Sequence, residues 1–488
     1  MNETSIGFMD RLRGRWPEWT AIGLFAAVVG YAIPFHEPWT DEAQAWQLAR
    51  SLSLTQLFRT YIRYEGSPGL WHFLLWVMIR LHISYAGLHW MCGAIAVGSA
   101  SLLVLYSPFP RYFKLTLPFT FFLLFQYAVI ARSYVLVPPL LFMTAIGWRK
   151  RPFLVAVALG LMANTSQHAA AISGGLAIVY LIDWLMDRDQ RIGRRSDLLI
   201  CGLILACSYG FALWTAWPSG DMRYISVIHD HAPSLLSSVL AWLLLPMCAP
   251  VALSVPFWIA IVLLLVSRRG VRYLLPFVCF LAFCCVSFAS YWHFGLLVPM
   301  LICVLWISWP QNGESRSKLE SIGRAALAYM ILTQVTWAVY SIYYDRSNAY
   351  SPDLATANFL KPYIDSGTAI AITNIDGVSD HDAIATGILP YFSGSIFVNQ
   401  SDPFYWWGRQ NATEQRFTAL LPSHPEMIVA ESQPAQPQAG FDIRNPAIRH
   451  LESYGYRLTH VFCGTLTFRT EPFLVNCHLI FEYSGKNK

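Results

Sequence analysis

The stretch HEPWTDEAQAWQLAR, residues 36–50, sets two carboxylates side by side, Asp41 and Glu42, in a chain that is only 13% charged. Thr40 reads as a helix N-cap with Asp41 and Glu42 in the first turn. The Ala, Gln and Leu content then carries helix to about Leu54. Two carboxylates there complement the positive end of the helix dipole, which is a sufficient reason for them in any helix. A second reason is chemical. The pair directly follows a long apolar run and a proline, and beside a low-dielectric surface the charged form is disfavoured, so a carboxylate can be tuned as a general base. The residues that follow add Arg59, Arg63, Tyr64 and Glu65. The two arginines suit phosphate oxygens or lipid headgroups, and Glu65 either meets a ligand or pairs with Arg63.

Further candidates lie downstream. Arg132, in Ala131-Arg132-Ser133-Tyr134, can give two parallel hydrogen bonds to a phosphate or snorkel to an interface. His168 sits in a polar patch, Asn164 to His168, between two apolar runs; it is a functional residue or a satisfied interhelical histidine. His229-Asp230-His231 has the donor types of a metal site, but adjacent residues of a regular element seldom chelate one ion, so acceptor contact or a solvated loop is the stronger reading. Tyr291, Trp292 and His293 read as an interfacial aromatic belt. Trp406 and Trp407 could stack on sugar faces or fill a small core.

Elements that could hold these groups follow from composition. With 488 residues, 55% of them hydrophobic, and a mean hydropathy of +0.41, the chain is too apolar for a soluble globule. Apolar runs approaching a membrane-crossing length cover 19–35, 69–82, 88–106, 113–128, 131–147, 152–164, 169–186, 197–217, 251–267, 271–289, 291–309 and 322–344, with a shorter Pro-flanked run at 235–249. The expectation is a mainly α, polytopic membrane protein of about 11–13 spans. Arginines before the first run, WRKR at 148–151, RDQRIGRR at 188–195, SRRGVR at 267–272 and the run 316–324 mark cytoplasmic loops. The N-terminus is then inside and uncleaved, and 36–68, 164–168, 218–234 and everything after Tyr344 are outside. Four runs between 69 and WRKR conflict with this, since an odd number of crossings is required there. One of the four is short or does not cross. The net charge of +5 is scattered over short loops, which suits anionic lipid and excludes a nucleic-acid stripe.

Residues 1–344 thus form a membrane domain and 345–488 a small exported α/β domain. In the latter, turn clusters separate short β-type runs: TAIAIT, SIFV, MIVA, LTHVF, LTFR and LVNCHLIFEY. Alternation over 456–483 suggests hairpins. Most of the ten cysteines lie in apolar runs and read as small apolar residues. Cys463 and Cys477 are exported and could pair in an oxidising compartment. Asn411-Ala-Thr fits a glycosylation sequon.

The opening residues resemble a family. An apolar first run, PWTDEAQAWQLAR, an outer loop and YEGSPGLWHFLLWVMIRL look like the start of the GT-C glycosyltransferases, in the branch with protein O-mannosyltransferases and lipid A aminoarabinose transferases. Ala131-Arg132-Ser133-Tyr134 resembles that branch's Ala-Arg-x-Tyr pattern, and Asn164 to His168 its short Thr-His patch. Gly69 departs from it, standing where the second proline of a Pro-Pro motif is expected. The resemblance spans 19 to about 200, and the exported tail matches no domain of that group. It implies the GT-C fold and transfer of a sugar from a polyprenyl-phosphate donor to an acceptor hydroxyl on the outer face of a bacterial inner membrane. Asp41 would be the base, with Glu42 in support by orienting it or by binding a sugar hydroxyl or metal. Arg132, with Arg63 and Arg59 behind it, would bind the donor phosphate, and Glu65, Tyr64, Tyr134, His168, His229 and Asp230 would contact substrates. Members differ in needing a divalent cation, so that cofactor stays open.

Partners on this reading are a polyprenyl-phosphate-linked sugar, an acceptor glycan, glycolipid or protein, and membrane lipids, with no nucleic acid. Two other classes compete. A flippase for a lipid-linked saccharide would share the many spans, but no internal repeat is visible and the polar residues gather at outer ends. A non-catalytic subunit of envelope polysaccharide assembly would tolerate loss of Asp41.

Overall fold

The computed structural model describes residues 14–186, 195–220, 239–240, 243–268, 270–287, 289–310, 318–375, 381–400, 402–404, 413–432 and 446–485. The chain is mainly α-helical with a small sheet near its C-terminus. Among the described residues five helices are long and apolar enough to cross a membrane: Trp16–Phe35, Tyr85–Tyr106, Gln167–Met186, Ser196–Ala216 and Lys318–Ser347. Shorter apolar helices accompany them.

Helix α1 (Trp16–Ala32) starts on Pro17, which suits a first helical turn. A short turn, Ile33–Phe35, follows, and α2 (Thr40–Ser51) then carries the carboxylate pair. Trp39, not Thr40, is the cap residue: it is extended, and its backbone N–H is bonded by the Glu42 side chain at 3.0 Å. Helix α3 (Leu70–Arg80) packs along α2, and α4 (Tyr85–Tyr106) runs about 33 Å down the bundle.

Helix α3 bears on the four-run conflict. At eleven residues it is about 16 Å long, half the ~30 Å of a hydrocarbon core. Its first residue bonds the Asn164 carbonyl, and Ser67 just before it bonds that of Thr165. Just beyond its end, Tyr85 meets Tyr391 of the C-terminal domain. Helix α3 thus lies beside α2, with the chain just beyond its end against that domain.

The run expected at 113–128 is not one helix. A short helix at Arg111–Thr116 gives way to a tight turn, a single wide turn at Phe122–Gln126 and irregular backbone through Arg132. Residues 121–131 are buried, so this irregular backbone is covered by protein, the condition under which it is tolerated at depth. The lower end is pinned by Glu18, which pairs with Arg111 at 3.2 Å and Lys114 at 3.1 Å. The upper end delivers Ala131 and Arg132 to the neighbourhood of α2. From there α5 (Val137–Gly147) returns, followed by α6 (Pro152–Ala163), α7 (Gln167–Met186) and α8 (Arg195–Ala216). Helices α9 (Ser254–Ser267), α10 (Leu275–Cys284), α11 (Leu297–Ile307) and α12 (Lys318–Ser347) complete the bundle. Every residue of α11 is buried, as expected of a helix apolar all round.

The C-terminal domain holds a four-stranded sheet in the order β1-β2-β4-β3, from β1 (Ile370–Asn374), β2 (Met427–Ser432), β3 (Tyr456–Phe468) and β4 (Glu471–Tyr483). Strands β1 and β2 are parallel; β4 is antiparallel to β2 and β3. LTHVF and LTFR merge into the single strand β3, which absorbs two register irregularities, and SIFV makes only an isolated bridge from Phe397 to Ile370. The expected terminal hairpin is β3–β4, cross-linked by the Cys463–Cys477 disulfide. Arg50 of α2 donates to the carbonyls of Phe392 at 2.9 Å and Leu389 at 3.4 Å, and Thr465 N–H bonds the Ala349 carbonyl at 2.8 Å. The domain thereby sits directly on the helix with the carboxylate pair.

Candidate functional site

Asp41 and Arg132 form an ion pair, Nη2 to Oδ2 at 2.9 Å, with the Asp41 side chain 33% exposed. The guanidinium is boxed by three aromatic rings: its carbon lies 5.7 Å from the Trp39 ring centre, 5.3 Å from Tyr134 and 5.3 Å from Trp292. Trp39 and Trp292 meet edge to face at 5.8 Å. Arg132 ends the irregular stretch in an extended conformation, and Trp39 is extended before α2, so neither side chain is committed to a helix face. Three N–H donors in this cluster, Arg132 Nη1, Trp39 Nε1 and Trp292 Nε1, are buried without an acceptor among the described residues. Buried donors ordinarily have partners. A site rich in N–H groups and short of acceptors suits an anionic oxygen.

Glu42 is used differently from its neighbour. It is fully buried, and its Oε1 accepts from the Ala131 backbone N–H and faces His89 Nε2 at 3.0 Å. Its Oε2 accepts from Trp39 N–H at 3.0 Å and faces His36 Nε2 at 3.4 Å. Burial would raise its pKa, but the bonds and charges of His36 and His89 outweigh that and hold it well below the usual carboxylate range. With its oxygens so engaged, Glu42 fixes the start of α2 and the irregular stretch against one another and thereby aims Asp41. His36 Nδ1 in turn meets Asp345 Oδ2 of α12 at 3.0 Å. One ligand atom from each of His36, Glu42 and His89 lie within 4.8 Å of one another, close enough to hold a metal ion.

Glu65 accepts from Gln44 Nε2 at 2.7 Å, so its partner is an amide one turn along α2 and not Arg63. Burial pushes its pKa up to about 7, the Gln44 bond opposing and the Asp41 charge adding to the rise. His168 stacks on His293 at 4.0 Å, and Tyr134 meets His293 edge to face at 5.5 Å. Ser290 N–H donates to His293 Nδ1 at 2.9 Å, which places the imidazole proton on Nε2.

Of the residues singled out by sequence, Asp41, Glu42, Arg132, Tyr134, His168 and Glu65 are thus brought to one neighbourhood, by direct contact or through His293 and Gln44. Arg59 is exposed on the outer face of its turn and Arg63 makes no ion pair among the described residues, so neither joins Arg132. Tyr64 points elsewhere: its hydroxyl bonds Ser219 at 3.1 Å and its ring packs with Leu48, Leu57 and Phe404. His229, Asp230, Trp406, Trp407 and Asn411 lie outside the described residues. Sequence reading passed over Trp39, His36, His89, Gln44 and Asp345, and took Trp292 and His293 for a belt. An unusual signal was available for one of them, since Asp345 is a carboxylate at the outer end of an apolar run. Compared with known proteins, the chain matches no family model, no curated protein and no solved structure.

Proposed function

We propose that the chain is a membrane glycosyltransferase that moves a sugar from a polyprenyl-phosphate donor to an acceptor hydroxyl at the side of the bundle capped by the C-terminal domain. The observation that carries this reading is the Asp41–Arg132 pair with its surplus of buried N–H donors. Asp41 is the half-open carboxylate and takes the acceptor proton. The freed oxygen attacks the anomeric carbon, the bond from that carbon to the phosphate oxygen breaks, and the electron pair leaves on the lipid phosphate. Arg132 keeps Nη2 on Asp41 and offers Nη1 to that phosphate, with the two indole N–H groups beside it. Donors preorganised where charge develops are worth far more than the same groups in water.

Among the described residues, the five long helices, the shorter apolar ones other than α3, and the broken run 111–132 would give an odd number of crossings in a bilayer. An odd number supports an N-terminus and a C-terminal domain on opposite sides, the arrangement that the arginine-rich loops also favour. The disulfide of β3–β4 suits an oxidising, periplasm-like compartment.

The test is binding of farnesyl phosphate to the purified chain, wild type against Arg132→Gln. We expect saturable binding lost in the variant, with folding checked by thermal melting. Equal binding by both, or none by wild type, contradicts the phosphate role and returns weight to a flippase or an assembly subunit.

A further inference from the structure

We propose that His36, Glu42 and His89 form a site for one divalent cation of the zinc class, distinct in role from the Asp41–Arg132 pair and independent of whether the chain transfers sugar. Two imidazoles and one carboxylate are a donor set that zinc favours, whereas magnesium and calcium demand oxygen ligands. The spacing fits. Glu42 stands 3.0 Å from His89 Nε2 and 3.4 Å from His36 Nε2, and ligand atoms around a tetrahedral zinc stand roughly 3.3 Å apart given its usual bond lengths. The three ligand atoms all lie within 4.8 Å of one another, a spread that an inward turn of the imidazoles would close on an ion.

The surroundings are those of a supported metal site. Asp345 holds His36 Nδ1 at 3.0 Å, which leaves Nε2 of that ring facing Glu42. A carboxylate on the far nitrogen of a ligand histidine fixes its tautomer and raises its basicity. Backbone N–H groups of Ala131 and Trp39 orient the Glu42 carboxylate in the same way. All three ligand residues are buried, and the rings of Phe125 and Tyr350 lie against His36.

Hydrogen bonding among the described residues does not account for the whole cluster. Asp345 Oδ1 is buried there without a partner. Two carboxylates gathered in an apolar enclosure call for compensating positive charge, which protonated His36 and His89 give in the absence of metal and which a divalent ion would give in their place. Such an ion joins the end of α1 to the start of α2, α4 and α12, elements far apart in sequence. It would lock the helix that carries Asp41 to the bundle.

The experiment uses the full chain purified in detergent without a metal-affinity step, with bound metals measured by mass spectrometry in wild type, His89→Gln, His36→Gln and, as control, the exposed His450→Gln. Stoichiometric zinc in wild type and control, lost in both cluster variants, is the expected result. Wild type without stoichiometric zinc, or cluster variants that retain it, overturns the proposal. Should the variants fail to fold, cobalt replacement in wild type decides. Four-coordinate visible absorption with nitrogen ligands supports the site, and its absence after stoichiometric loading refutes it. Neither readout depends on transfer activity.

Discussion

Arg132 reaches Asp41 with one terminal nitrogen at 2.9 Å while its other, Nη1, is buried without an acceptor among the described residues. The guanidinium is therefore positioned by a carboxylate and still has hydrogen-bonding capacity in hand. That division of labour is what a residue needs if it is to hold the base and greet an anion at once.

The indole donors beside it can be removed without removing their rings. Trp39→Phe and Trp292→Phe are each expected to weaken farnesyl phosphate binding about fivefold, the weight of one hydrogen bond of about 1 kcal/mol. Melting temperature should stay near that of wild type, because the cation–π box persists. Titration calorimetry checks the effect, and unchanged affinity in both variants would take the indoles out of the site.

Glu65 makes stability depend on pH. Its pKa is raised from 4.5 to about 7, so between those values the folded chain holds a proton that the unfolded chain has released. The associated stability is present below 4.5 and is lost as pH rises through about 7. Glu65→Gln should flatten that fall. Melting curves of both proteins across the window measure it, and parallel curves would show Glu65 to be solvated.

Cysteine accounting tests the hairpin. Alkylation of the unfolded, non-reduced chain should modify eight cysteines, the free thiols from Cys92 to Cys303, and two more only after reduction. Cys463→Ser with Cys477→Ser should lower stability by ~3 kcal/mol, as expected for a loop of about 15 residues. Ten alkylations before reduction would exclude the cross-link.

Gly175 sets the approach of α7 to α10. A methyl group there would meet the Pro276 Cα at 2.5 Å and its N at 3.0 Å, backbone atoms that cannot rotate aside. Gly175→Ala is expected to cost about 1–3 kcal/mol. A thermal melt indistinguishable from wild type would mean that the two helices shift freely.

The parts of this architecture that were legible in the sequence are those set by local pattern. Apolar length marked the helices, alternation marked β3 and β4, and the adjacent carboxylates marked α2. Interruptions hid where apolarity continued: residues 113–128 read as one span because nothing in their hydropathy reports the turn at Phe122–Gln126. The fate of α3 was hidden for the opposite reason, since an apolar helix of eleven residues looks alike whether it crosses or lies along α2. In the site, Asp41 and Arg132 were visible as charges in an apolar chain. Trp39, Trp292 and His293 were not, because interfacial aromatics are common and only tertiary packing brings these three to a guanidinium. His36 and His89 join Glu42 across 6 and 47 residues, a relation that spacing within one helix could not reveal.

The most direct measurement is single-turnover transfer of a radiolabelled sugar from short polyprenyl-phosphate donors to a membrane glycolipid and glycan extract, with purified wild type and Asp41→Asn compared. Transfer by wild type, and its loss by ~10²–10⁴-fold in a folded Asp41→Asn protein that still binds farnesyl phosphate, is the result expected of a general base. Equal transfer by the two proteins would contradict it and leave Asp41 as a helix-terminal charge.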